Sequence, residues 1–209
     1  MKILLGITGS IASYKGYDIV RQLVKNGHKV KVILTKGALE FIKLDTFRYL
    51  GVEAAFFPND DFNSSKISEN QTVLHVELAK WADKFIIAPA SANTISRFAT
   101  GITNDLLASV YLCFGNKPVI IFPAMNTQMW CNERIREHIL KIQQSPNIGI
   151  INPVSGLLAC GDVGAGKFPE VNSVVDLIET YNPNLKRKKK VIITAGATAS
   201  PIGSRTVHY

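Results

Sequence analysis

Three separated stretches of the chain carry side chains able to move a proton or grip an anion. His75 opens the helical pattern His75-Val76-Glu77-Leu78-Ala79-Lys80-Trp81. An imidazole there can serve as acid or base near neutral pH, although a lone helical His is more commonly structural or solvated. The structural reading applies more strongly to His28, His138 and His208. Pro123-Ala124-Met125-Asn126-Thr127-Gln128-Met129-Trp130 follows an apolar run. Asn126 could hold a carboxylate through its amide N–H2 without adding charge, with Met125, Met129 and Trp130 as an apolar wall or as ordinary core. Cys160 lies in Ala159-Cys160-Gly161-Asp162-Val163-Gly164-Ala165-Gly166, where a lone thiol among glycine turns is either reactive or inert.

Two further stretches suit a phosphate. Gly6-Ile7-Thr8-Gly9-Ser10-Ile11-Ala12 offers a tight turn, helix-start N–H groups and the hydroxyls of Thr8 and Ser10. It departs from G-x-G-x-x-G, and Thr35 and Lys36 stand where a dinucleotide site would carry an acid for the ribose. A mononucleotide phosphate fits better than a dinucleotide; taken alone, the stretch reads equally as a plain βα turn. Pro89-Ala90-Ser91-Ala92-Asn93-Thr94 brings small residues, hydroxyls and an amide to another helix start, where Ser91 is also an ordinary N-cap. Asp105, after Gly101-Ile102-Thr103-Asn104, reads as a cap or first-turn acid.

These residues are positioned by short β-branched runs alternating with helical patterns. Strands are expected at Lys2–Ile7, Lys29–Leu34, Lys84–Ala88, Pro118–Phe122 and Ile148–Asn152, with a weaker one at Ala54–Phe57. Helices are expected at Ile11–Lys25, Ala38–Leu50, His75–Ala82, Ala92–Phe98, Asp105–Phe114, Glu133–Gln143 and Val174–Tyr181. The alternation predicts an α/β fold: a three-layer Rossmann-like (flavodoxin-like) parallel sheet with helices on both faces. Ligands in such folds bind beyond the carboxyl ends of the strands, so residues 8–12, 35–38, 89–93, 123–130 and 153–167 are where chemistry is expected.

Composition narrows the class. Of 209 residues, 46% are apolar and 19% charged, a globular balance. Apolar stretches such as Phe85–Ala88 and Val119–Pro123 are far shorter than a membrane span, and Gly6–Ser10 interrupts the apolar start with no cleavage pattern after it. A cytoplasmic protein without a membrane partner is expected. The net charge of +8 is concentrated: Lys186-Arg187-Lys188-Lys189-Lys190 and Arg205 place +6 in residues 181–209, which leaves +2 for the first 180. A short basic run of this kind is a solvated linker before it is a nucleic-acid patch, so no nucleic-acid partner is expected. Cys113, Cys131 and Cys160 are odd in number and lack paired spacing, which argues against a disulfide framework or a zinc site. Cys113, inside Val110-Tyr111-Leu112-Cys113-Phe114, is expected to be a small buried hydrophobe.

The organisation that follows is a domain over residues 1–181, a basic linker over 182–190, and over 191–209 the start of a truncated second domain. There Val191-Ile192-Ile193-Thr194-Ala195-Gly196 repeats the opening strand-and-turn pattern.

Together the motifs are far more specific than any one alone. The sequence resembles the flavin-containing cysteine decarboxylases, most closely the phosphopantothenoylcysteine decarboxylase domain. The family hallmarks are a catalytic His ahead of a helix, P-x-M-N-x-x-M-W and A-C-G-x-x-G-x-G; they stand here in order as His75, Pro123–Trp130 and Ala159–Gly166. The opening G-S-I-A and the P-A-S-A-N-T segment also match, and the resemblance covers about residues 1–180. Lys190–Ile202 resembles the opening of the ligase domain that follows in bacterial bifunctional proteins, but lacks its second Gly, its Arg-Glu pair and its Asp.

The resemblance implies FMN as cofactor, 4'-phosphopantothenoylcysteine as substrate and 4'-phosphopantetheine as product. A cysteine α-carboxylate has no adjacent electron sink; oxidation at the carbon bearing sulfur gives a thioaldehyde that can accept the electrons as CO2 leaves, and the enethiolate is then reduced. The family roles fall on His75 as base in the oxidation, Asn126 as carboxylate holder and Cys160 as proton donor in the reduction, its glycine-rich flanks forming a flap. Met129 and Lys167 join Asn126 in the substrate site. Gly9, Ser10, Ile11, Thr35, Ser91, Ala92, Asn93, Thr94 and Ala124 are expected around the FMN. A homotrimer or a dodecamer of trimers is implied, with FMN at subunit interfaces and His75 serving a neighbour's flavin. The alternatives are a peptidyl-cysteine decarboxylase, a flavin prenyltransferase and a non-catalytic flavin-bearing regulatory subunit.

Overall fold

The structure, a computed structural model, describes residues 1–62, 73–157, 161, 163–183, 199–202 and 205–208. Six parallel strands form the central sheet: β1 (Lys2–Ile7), β2 (Lys29–Leu34), β3 (Ala54–Phe56), β4 (Lys84–Ala90), β5 (Val119–Pro123) and β6 (Ile148–Ile150). Their order is β3-β2-β1-β4-β5-β6, so the chain winds outward in both directions from the β1/β4 pair. Strands β4 and β5 are buried along their whole length, which is why, Lys84 apart, they read as apolar runs: a parallel strand covered on both faces has no solvent side.

Helices divide between the two faces as that order requires. Leu4, Phe85, Ile87 and Ile121 point to a face covered by α4 (Leu74–Trp81), α5 (Ala92–Thr100), α6 (Leu106–Cys113) and α8 (Glu133–Gln143). Ile3, Leu5, Ile86 and Ile120 point to the other, covered by α1 (Lys15–Lys25), α3 (Leu44–Tyr49) and α9 (Val171–Thr180). Two shorter helices, α2 (Lys36–Leu39) and α7 (Thr127–Cys131), sit at the carboxyl edge after β2 and β5. The expected three-layer α/β architecture is the one observed.

Several elements differ from the sequence expectation. Residues 11–14 form a 3-10 turn before α1, with Ser10 and Ser13 making a reciprocal cap. The helix expected over Ala38–Leu50 is broken: the Tyr17 hydroxyl accepts the Lys43 N–H at 2.8 Å and donates to the Lys43 carbonyl at 3.1 Å, which stabilises an extended residue at the break. The stretch after β6 is a hairpin rather than a plain loop, with β7 (Val154–Leu157) antiparallel to β8 (Val163–Lys167). Near the end, β9 (Ala199–Ile202) and β10 (Arg205–His208) form a second small hairpin. The strand expected at Val191–Thr194 and most of the expected linker lie outside the described residues. Among the described residues, no helix is long and apolar enough to cross a membrane.

Candidate active site

A cleft of about 1270 Å³ opens at the carboxyl edge, where β1 and β4 part company. Its floor depends on close backbone approach. A Cβ on Gly9 would lie 3.0 Å from the Cα and carbonyl carbon of Gly37, so the loops after β1 and β2 touch only because both positions are glycine. Thr8 is fully buried and ties the β1 loop to the β4 loop: its Oγ1 donates to the Pro89 carbonyl at 2.9 Å and accepts the Ser91 N–H at 2.7 Å. The Thr8 hydroxyl, expected to be available to a phosphate, is thus committed to structure.

Ser91 caps α5 through Oγ, which accepts the Thr94 N–H at 3.4 Å and shares a hydrogen bond with Thr94 Oγ1 at 3.2 Å. The first N–H groups of α5 have no intrahelical carbonyl to bond, and with the helix dipole they suit an anion. All the positions expected around a cofactor line this one cleft: Gly9, Ser10, Ile11, Thr35, Ser91, Ala92, Asn93, Thr94 and Ala124. Thr35 is buried and caps α2, accepting the Ala38 N–H at 3.4 Å.

Asn126, Met129 and Lys167, expected at the substrate, line the same cleft. Asn126 caps α7, its Oδ1 accepting the Gln128 N–H at 2.8 Å, so the amide plane is fixed by the backbone that follows it. Met129 is exposed toward the opening, whereas Trp130 packs on the core. The β7–β8 hairpin forms one wall through Leu157, Gly166 and Lys167. Gly166 has φ +136 and a Cβ there would strike the Met125 carbonyl oxygen, while the Met125 N–H donates to the Gly166 carbonyl at 3.2 Å. Glycine at this position lets the hairpin sit directly on the Pro123–Trp130 segment. Cys160 falls in sequence between β7 and β8 and lies outside the described residues.

His75 does not line the large cleft. It lines an adjacent pocket of about 670 Å³, which shares Pro58, Asn59, Asn104 and Asp105 with the cleft. Its Nδ1 lies 2.8 Å from both carboxylate oxygens of Asp61. Cys113 lines this pocket too and is exposed, not the buried hydrophobe expected: it ends α6, with Sγ donating to the His75 carbonyl at 3.5 Å. Two other histidines are structural as expected, His28 bonded to Glu179 at 2.8 Å and His138 to Ser96 at 3.1 Å.

Two site residues escaped the sequence reading. Asp61 sits in a stretch with no motif, fourteen positions before His75. Arg97 is buried at the edge of the cleft, its Nη1 bonded to Asn104 at 2.5 Å and to Asp105 at 2.7 Å, and its buried Nε has no partner among the described residues. Asp105 is the cap it was read as, accepting the Ala108 N–H at 2.9 Å, and the counter-ion of Arg97 as well. The only available signal was spacing: Arg97 and Asp105 flank the Gly101 turn that ends α5 with φ +76.

A doubly wound sheet whose switch-point cleft holds glycine turns and a capped helix start defines a class of mononucleotide-binding α/β proteins. Residues 1–182 match the Flavoprotein family, and the chain belongs to that family. Over 202 residues it is 40% identical to the coenzyme A biosynthesis bifunctional protein CoaBC of Vibrio vulnificus, a match covering 96% of this chain and 49% of that protein. The chain therefore spans about half the length of that relative. Among solved structures it is similar to a PPC decarboxylase mutant complexed with pantothenoylaminoethenethiol, with TM-score 0.76 and 32% identity over 85% of this chain and 96% of the other. The FMN binding protein AtHal3 matches with TM-score 0.73 and 32% identity over 85% and 94% of the two chains.

Proposed function

We propose that this chain is the FMN-dependent decarboxylase of 4'-phosphopantothenoylcysteine, releasing CO2 and 4'-phosphopantetheine in the cytoplasm. The observation that carries the reading is that motifs far apart in sequence, Gly9–Ile11, Ser91–Thr94 and Ala124–Asn126 with Met129, line one cleft. Its volume exceeds that of an ordinary small-ligand pocket and leaves room for a mononucleotide and a substrate together. The residues fit FMN: the Gly9–Gly37 approach makes a cradle that a Cβ would fill, and the start of α5 supplies N–H groups and hydroxyls for the phosphate. When bound, FMN supplies the two-electron oxidation of the substrate and the returning reduction.

The chain's own residues do the rest. Asn126 orients the substrate carboxylate, with Met129 and Lys167 around it. The β7–β8 hairpin walls one side of the cleft against water, and the Cys160 thiol gives the proton needed in the reduction. His75 takes the proton lost in the oxidation. Because His75 opens into the neighbouring pocket, the site is completed by another copy of the chain, in a homotrimer or a dodecamer of trimers. Exposed Phe62, Ile102 and Leu112 on and around the His75 pocket supply an apolar surface for that contact. Residues 182–209 lie beyond this unit, as a linker and the start of a ligase-like domain.

The deciding experiment is incubation of the FMN-loaded protein with 4'-phosphopantothenoylcysteine, followed by mass spectrometry. Loss of one CO2 per substrate is expected. Unchanged substrate, with a cysteine-ended peptide decarboxylated instead, would move the activity to peptidyl cysteine. Light scattering should show a trimer or a multiple of it; a monomer at micromolar concentration contradicts the shared site.

A further inference from the structure

We propose that Asp61 is the positioning residue of His75 and that it fixes the ring as the Nδ1–H tautomer, so that Nε2 alone can take a proton. The inference rests on His75 being the base of the reaction proposed above. Three contacts converge on one buried carboxylate, only 5% exposed. Nδ1 of His75 lies 2.8 Å from Oδ1 and 2.8 Å from Oδ2, and the His75 backbone N–H donates to Oδ1 at 3.0 Å. An ionised carboxylate accepts hydrogen bonds and donates none, so in the neutral ring Nδ1 must carry the hydrogen. The lone pair is left on Nε2.

The same carboxylate anchors the helix that carries the ring. Val73, at the N-cap of α4, makes no side-chain cap hydrogen bond, and Asp61 supplies the acceptor from a separate element, the 3-10 turn Asp60–Phe62. That turn is itself pinned, because Asp60 Oδ2 accepts the Phe57 N–H at 2.8 Å and the Pro58 carbonyl accepts the Leu106 N–H at 2.9 Å. Ring and helix start are therefore oriented by one group with little freedom to move. A catalytic imidazole needs a held orientation and a defined tautomer, and this arrangement provides both.

Asp61→Asn tests the proposal with almost no change of shape. Its amide oxygen can still cap His75 N–H, while its N–H2 faces Nδ1 as a donor and drives the ring to the Nε2–H form. Nitrogen-15 spectra of the FMN-loaded protein, with the His75 signals identified by their loss in His75→Asn, report the tautomer directly. At about pH 8.5, well above the ordinary imidazole pKa of about 6.5, the unsubstituted protein should show an unprotonated Nε2. Asp61→Asn should show Nε2–H and about 100-fold slower anaerobic flavin bleaching, with FMN content and substrate KM little changed. A protonated Nε2 in the unsubstituted protein overturns the proposal, even if Asp61→Asn does not fold. Full-rate bleaching in Asp61→Asn overturns this inference alone. Full-rate bleaching in His75→Asn removes the base role itself and takes the inference with it.

Discussion

The large cleft and the smaller pocket beside it share Pro58, Asn59, Asn104 and Asp105, yet they are built on different terms. The cleft is made of backbone: glycines that let loops touch, a helix start, and hydroxyls that clasp one turn to the next. The pocket is distinguished by one side-chain pair, Asp61 and His75, fourteen positions apart in sequence. Binding a cofactor through backbone leaves a local signature in sequence, because close approach demands particular small residues at particular places. Orienting a base through a carboxylate leaves none, because any loop that brings an acid within reach will serve. Under the proposed function the cleft holds the cofactor and the pocket supplies the base of the oxidation, and substitutions should separate the two.

The largest expected effect belongs to the smaller pocket. His75→Asn should slow anaerobic flavin bleaching by about 10²–10⁴-fold, with bound FMN at its normal content and the substrate unconsumed. Cys160→Ser should fail later: the flavin bleaches once, CO2 is lost, and an oxidised enethiol-type product accumulates, because a hydroxyl is a far weaker acid than a thiol. Loss of FMN in His75→Asn would break the division between the regions.

Gly9→Val is the converse substitution. Its Cβ starts 3.0 Å from the Gly37 backbone, and the two further methyl groups force the β1 and β2 loops apart. FMN content, read by absorbance after gel filtration, should fall by roughly tenfold or more, which corresponds to about 1.4 kcal/mol or more of binding. The Asp61–His75 pair should persist, visible as an unchanged His75 nitrogen-15 signature in the apoprotein.

How much of this was legible in the sequence follows the same division. The strands were readable because parallel strands buried on both faces read as near-continuous apolar runs, as in Phe85–Ala90 and Val119–Pro123. The cleft-lining positions proposed for the cofactor were readable because their motifs sit at the strand ends where such folds bind ligands. What the sequence did not reveal depended on tertiary contacts. The break at Glu40–Lys43 comes from a tyrosine on α1, Asp61 acts on a helix start across the intervening chain, and Arg97 meets Asp105 around a turn. The β7–β8 hairpin was hidden because Gly-rich stretches lack strand propensity, and its pairing is held by contact with the Pro123–Trp130 segment instead.

Thr8→Val sharpens the comparison within the cleft by removing a clasp and leaving its shape. The change removes a fully buried hydroxyl: the Ser91 N–H loses its Oγ1 acceptor, and the Pro89 carbonyl loses one donor while keeping the Thr8 N–H at 3.2 Å. The expected cost is about 1–3 kcal/mol, read as a melting temperature lower by about 2–10 °C. FMN affinity should fall with it, because Ser91 sets the start of α5. An unchanged melting temperature would mean that the two loops are held by backbone contact alone.

The smallest effect is expected from a pair that lines neither region and therefore controls for both. Glu179 Oε1 accepts from Asn26 Nδ2 at 2.8 Å and pairs with His28 Nε2 at 2.8 Å, joining the end of α9 to the turn after α1. The hydrogen bond from Asn26, then that from His28, hold the Glu179 carboxyl below its ordinary value of 4.5. A carboxyl whose pKa is lower in the folded state binds fewer protons there than in the unfolded chain. Its stabilisation is therefore complete above about 4.5 and is lost as the pH falls through the folded value. Glu179→Gln should lower stability at neutral pH by less than about 1 kcal/mol, since the pair is partly solvated. The melting curves of the two proteins should converge as the pH falls through the folded-state value, which lies below 4.5, because only beneath it is the carboxyl neutral in both states. Flavin content and bleaching rate at neutral pH should not change. If either does, the sheet transmits strain from its far side into the cleft, and the independence of the two regions fails for a reason that neither pocket contains.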